Sequence, residues 1–172
     1  PCPSPCSCPC PSELTMLLAF LAAIAVFILR LVLFSMDRPP EGTDFMLVHF
    51  LAIVTVVFFA GQKALGRDRN VSFPDLMRDG FKSAALYALL SGSLLLAYYN
   101  LVEPEHFRLR VEEMVQRGMA EGQPEDIIRP RLEKFFTPFN YASITFFALL
   151  AIGGAQSLVI AILHHKVLRR YR

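Results

Sequence analysis

The chain has 172 residues, of which 54% are apolar, above the globular share of about 45–50%. Its mean hydropathy is +0.44, which excludes an ordinary soluble domain. The net charge of +2 comes with no basic stripe interleaved with aromatics, which excludes a nucleic-acid surface of the usual kind. Four apolar stretches at 14–36, 45–62, 81–102 and 140–167 approach or exceed the roughly 20 residues that cross a bilayer. The expected fold class is an all-α polytopic membrane protein, a four-helix bundle over 14–172. Short amphipathic helices in its third, outer loop form a cap over 103–138.

In chain order, the first segment is PCPSPCSCPCPS. Prolines at 1, 3, 5, 9 and 11 oppose any regular helix or central strand. Cys2, Cys6, Cys8 and Cys10 lack the paired C-x2-C spacing of common zinc sites. A disordered low-complexity tail over 1–13 is expected, with a thiolate metal site or a processed or extended terminus as alternatives. No basic n-region or small-residue cleavage motif points to a removed signal peptide. No cofactor or metal is expected.

In the first span, Arg30 stands six residues before Met36. That is about 9 Å of helix, within reach of a snorkelling side chain. In the second span, His49 enters at similar depth. Charged and polar side chains inside a membrane are costly, so Arg30 and His49 are the intramembrane polar candidates. The plainer account is a snorkelling arginine and a locally hydrogen-bonded histidine.

The following loop, 63–82, carries Lys63, Arg67, Arg69, Arg78 and Lys82. Within it Ser72 reads as a helix N-cap, with Pro74 and Asp75 in the first turn. Phe73, Leu76, Met77, Gly80 and Phe81 recur at helical spacing. An elbow lying in the membrane plane is expected, with Arg78 and Lys82 on its other flank against anionic headgroups.

The third span holds Ser91-Gly92-Ser93. Beyond it, Glu103, Glu105 and His106 read as a helix start rather than a metal cluster. Phe107, Val111, Met114 and Val115 form one apolar stripe, interrupted at Gly118 and Gly122. Pro124-Glu125-Asp126 opens a second helix with Ile127, Ile128, Leu132, Phe135 and Phe136 as its stripe. Pro138 is expected to break the chain before the fourth span. That span contains Gly153-Gly154, Gln156 and Ser157. Small residues let helices approach closely, so Ser91, Gly92, Ser93, Gly153, Gly154, Gln156 and Ser157 are the expected seam between spans three and four. Its serines and glutamine would hydrogen-bond across. His164, His165 and Lys166 are expected to form a cationic cluster at the interface. The lipid-headgroup contacts would be Arg78, Lys82, Lys166, Arg169 and Arg170.

The first loop is acidic, whereas 63–82 and the C-terminus are basic. The positive-inside rule then predicts both termini in the cytoplasm, N-in/C-in. The chain contains no G-x-S-x-G, H-E-x-x-H, P-loop or glycine-rich dinucleotide turn. A non-enzymatic role is expected.

Three stretches carry a family resemblance: SFPDLMRDGFKSAALYALLSGSLLLAYYNLVEPEHF, VEEMVQRGMAEGQPEDI, and the small-residue final span with its basic tail. Over most of 47–172 the order of parts resembles the uncharacterised bacterial family catalogued as domain of unknown function 4199. The Cys/Pro terminus departs from that pattern. The resemblance implies a four-span protein of the bacterial inner membrane, and it assigns no activity because the family has none. The expected partners are membrane lipid and either other proteins or further copies of the chain. The expected role is association as an accessory subunit of a larger membrane complex. The alternative is an oligomeric small-solute or ion carrier, with Arg30, His49 and Gln156 lining a path.

Overall fold

The computed structural model describes residues 11–36, 38, 43–67 and 71–166. Six helices and no strand occur among them: α1 (Pro11–Ser35), α2 (Thr43–Arg67), α3 (Phe73–Leu101), α4 (His106–Ala120), α5 (Glu125–Phe135) and α6 (Pro138–Lys166). Four of these, α1, α2, α3 and α6, are long and apolar enough to cross a membrane. The fold is thus all-α and four-span, with two short helices between the last two spans. Expectations about the tail cysteines and about Arg169 and Arg170 lie outside the described residues.

Local chemistry explains where the helices begin and end. α1 opens at Pro11, three residues ahead of the expected 14, and proline suits a first helical turn. Ser72 caps α3: its Oγ accepts the Asp75 amide at 3.3 Å and donates to the Asp75 carboxylate at 2.6 Å. From there α3 runs unbroken to Leu101. The helix thus starts at the expected cap and continues into the third span. Leu76 is buried with Ala64, Leu65 and Ala161, so the start of α3 is packed as bundle core.

α4 ends in a Schellman motif. Gly122 takes φ +84°, its amide donates to Met119 O at 2.9 Å, and the Gln123 amide donates to Gly118 O at 3.0 Å. Gly118 itself stays helical because α5 lies against it: a Cβ there would stand 2.7 Å from Ile128 Cδ1. α4 buries Phe107, Val111 and Val115. α5 buries nothing fully. Its stripe narrows to Ile128, Leu132 and Phe136, while Ile127 and Phe135 are exposed.

The chain breaks at 136–137, ahead of the fourth span as expected, and Pro138 opens that span as the first residue of α6. Thr137 caps that start, its Oγ accepting the Asn140 amide at 3.2 Å. Asn140 in turn donates to Lys134 O at 2.9 Å and Phe135 O at 3.1 Å, closing the end of α5.

Contacts divide the chain into two units. The first takes α1, α2, α3 up to Ala88 and α6 from Leu149. Its core includes Ile53, Val56, Val57, Ala84, Tyr87 and Leu149. The second comprises Leu89–Ala148. Its core is aromatic: Tyr99 lies 4.7 Å from Phe107, 4.9 Å from His106 and 5.4 Å from Tyr141 between ring centres.

Candidate functional site

The first unit gathers Arg30, Phe45, His49 and Tyr87 from three helices. Arg30 is 6% exposed and its guanidinium carbon stands 5.3 Å from the centre of the Phe45 ring. Instead of snorkelling out, the cation is held on an aromatic face. Phe45 meets His49 edge-on at 5.2 Å. His49, 8% exposed, shares a 2.8 Å hydrogen bond through Nδ1 with the hydroxyl of fully buried Tyr87. That partner lies on another helix rather than nearby in sequence. Phe45 thus stands between the two, touching the Arg30 guanidinium on one side and His49 on the other. The group thus places a cation, an imidazole and a phenol together within the apolar spans, a costly arrangement. Gln156 is half-buried on α6, away from the Arg30–Phe45–His49–Tyr87 contacts.

The small residues also take their places. A Cβ on Gly153 would meet Ala84 Cβ at 2.6 Å, and one on Gly80 would meet Val57 at 3.1 Å and Ser157 Oγ at 3.2 Å. Gly154 faces the Phe81 ring. The close approach in the first unit is thus Gly80 and Ala84 of α3 against Gly153 and Ser157 of α6. Each pair is spaced by four, the small-xxx-small pattern of membrane helix contacts. The sequence marks Gly80 as part of an apolar stripe but not of the seam, and Ala84 as part of neither, although the spacing by four is present in both helices. In the second unit Gly92 faces Phe146 and Ala142 of α6.

The expected hydrogen bonds across the seam are not formed. Ser157 donates to Gly153 O at 2.7 Å and Ser93 to Leu89 O at 2.9 Å, each within its own helix. A hydroxyl in an apolar surrounding finds its nearest acceptor one turn back. Ser91 Oγ is buried with no hydrogen-bond partner among the described residues.

His164 corrects another expectation. It belongs to no surface cation cluster: it is fully buried, 5.1 Å from Phe58, over the space left by Gly61. Its Nδ1–H donates to Ile160 O at 2.9 Å. His165 meets Phe73 edge-on, while Lys166 is exposed. Arg78 and Lys82 are exposed, Arg78 lying 3.3 Å from Asp75. His106 Nδ1 lies 2.9 Å from Glu103. No group of three or more metal-ligating side chains occurs among the described residues.

On α4 and α5, Arg129 bridges Glu125 at 2.7 Å and Glu112 at 3.1 Å. The Glu112 carboxyl is held below its ordinary range, first by the Gln116 hydrogen bond and then by Arg129. Arg129 is pushed up, first by Glu125 and then by Glu112.

A groove of about 380 Å³ in the second unit runs between α3 and α6, with Gly92, Ser93, Ala142 and Ser143 in its lining. Leu89 and Phe147, the latter 64% exposed, stand at its sides.

These features define the class as a small multi-pass helical membrane protein with a buried polar group in one unit and an open apolar groove in the other. No protein-family model, curated protein or solved structure matches the chain.

Proposed function

We propose that the protein acts by association, as a non-enzymatic accessory subunit of a larger complex in the bacterial inner membrane. Both termini and the loop 63–82 face the cytoplasm. The observation that carries this reading is the α3–α6 groove, where small residues open a slot on an apolar surface. Between membrane helices association depends on close packing rather than on the hydrophobic effect, so a slot lined by Gly92, Ser93, Ala142 and Ser143 suits a partner's transmembrane helix. The inner-membrane setting rests on the four apolar helices and on the basic loop 63–82. The test is native-gel migration after mild detergent extraction. The wild type is expected in a complex larger than the monomer, and Gly92→Leu with Ser143→Leu is expected to release it. A wild-type protein migrating alone as a monomer overturns the reading.

A carrier assembled from several copies is the second reading, supported by the buried Arg30–His49–Tyr87 group. Unchanged solute flux in proteoliposomes bearing Arg30→Leu and His49→Leu would rule it out.

A further inference from the structure

We infer that the first unit binds one phospholipid whose headgroup carries a primary ammonium, with its phosphate on Lys82 and its ammonium on Asp79. The inference rests on a cleft of about 460 Å³ lined from α1, α2 and α3. Arg78, Asp79, Lys82 and Ser83 supply its polar lining, and Met16, Ala60 and Leu86 its apolar lining.

The charges at the start of α3 balance: Arg78 and Lys82 stand against Asp75 and Asp79. They are not all paired with one another, however. Arg78 lies 3.3 Å from Asp75, which is outside the cleft lining. Asp79 and Lys82 both line the cleft, and neither has an ion-pair partner among the described residues. Lys63 has a partner of its own and takes no part in this balance. The cleft is therefore neutral overall but presents one unmatched carboxylate and one unmatched ammonium.

A zwitterion of opposite layout satisfies both. Lys82 has three N–H donors for phosphate oxygens, whereas the Asp79 carboxylate only accepts and so requires a donor. Ser83 does not supply it, because its hydroxyl donates to Asp79 O at 3.0 Å. A primary ammonium has the N–H groups that Asp79 lacks. A trimethylammonium has none, and a headgroup without a cation sets its phosphate against Asp79 with nothing between them.

A soluble amino phosphate and a lipid headgroup share this chemistry, and the surroundings favour the lipid. Met16, Ala60 and Leu86 line the same cleft, and Thr15 belongs both to it and to an apolar furrow of Leu17, Leu18, Leu21 and Phe59. A soluble zwitterion gains nothing from that surface, whereas an acyl chain removes it from water. The cleft also lies where the spans of α1 and α3 begin, at the level of lipid headgroups.

The experiment is native mass spectrometry of the full chain ejected from phosphatidylcholine vesicles that hold equal amounts of phosphatidylethanolamine and phosphatidylglycerol. One phosphatidylethanolamine retained per chain is expected, in preference to both other lipids. Asp79→Asn should lower its retention roughly tenfold and, by leaving Lys82 unopposed, turn the preference to phosphatidylglycerol. Asp79→Glu keeps the carboxylate and should keep the original preference. Lys82→Gln should lower retention of both lipids, and Lys166→Gln should change nothing. Soluble phosphoethanolamine should not displace the lipid. Equal retention of the three lipids, an unchanged preference in Asp79→Asn, or displacement by phosphoethanolamine overturns the inference. An unchanged thermal midpoint in Asp79→Asn separates lost binding from lost folding, and Lys82→Gln, at an exposed position, repeats the test. The inference stands apart from the association reading, since a monomer and a complex would both retain the lipid.

Discussion

Single atoms decide how close two helices come. At Gly153 a methyl group would stand 2.6 Å from Ala84 Cβ, so Gly153→Ala must push α3 and α6 apart. Overpacking of this kind costs about 1–3 kcal/mol, read as a lower thermal midpoint in detergent. Gly66→Ala is the control. Nothing lies within 4 Å of that position, so stability should hold or rise by up to about 1 kcal/mol through helix propensity. Tyr87→Phe removes the hydrogen bond to His49 without removing the ring, and membrane hydrogen bonds average only about 0.6 kcal/mol. A small fall in midpoint is expected, with the fold intact. The burial of His164 could not be read beforehand. Its place among His165 and Lys166 resembles a surface cluster, and only the missing side chain at Gly61, over a hundred residues earlier, makes room for the ring.

At the level of elements, sequence signals worked best where chemistry is local. Ser72 as a cap and Pro124-Glu125-Asp126 as a helix start depend on neighbours a few residues away. The stripe of α4 was equally plain, because Phe107, Val111 and Val115 recur along one face. α6 offered no such stripe: it is apolar nearly all round, and a helix of that kind does not announce which side it packs. The Schellman turn gives a prediction. Gly122→Ala forces a side chain into a left-handed conformation at about 1–2 kcal/mol, and amide protection in the last turn of α4 should fall. Gly122→Asn should restore most of it. A second concerns acid. The Glu112 carboxyl titrates below its unfolded range, so its support for the α4–α5 pair is complete above that range and is lost as pH falls through the lowered value. Arg129 is raised instead, and its support would fade only in strong alkali. Amide protection in α5, corrected for intrinsic exchange, should therefore drop on acidification. Arg129→Ala should abolish most of that pH dependence.

For the whole molecule, four spans were legible because length and apolar content alone identify them. The division into two units was not, since α3 and α6 each serve both and nothing in their sequences marks the change at Ala88 or Leu149. Orientation is open to a simple measurement. All four cysteines fall within the first ten residues, so the proposed N-in orientation predicts that a membrane-impermeant maleimide leaves intact cells unlabelled and labels them after lysis. The same proposal predicts that Glu121→Cys, at the end of α4, is labelled without lysis. The corner between α5 and α6 has a mechanical meaning. One asparagine, Asn140, lies in the first turn of α6 and ties down the last carbonyls of α5, leaving no slack between them. The same turns of α6 supply Phe139, Ala142 and Ser143 to the groove. A helix seated there would press on Asn140's turn, and the strain would be transmitted to α5. If a partner's helix occupies the groove as proposed, a spin label on exposed Glu133 of α5 is expected to change its spectrum.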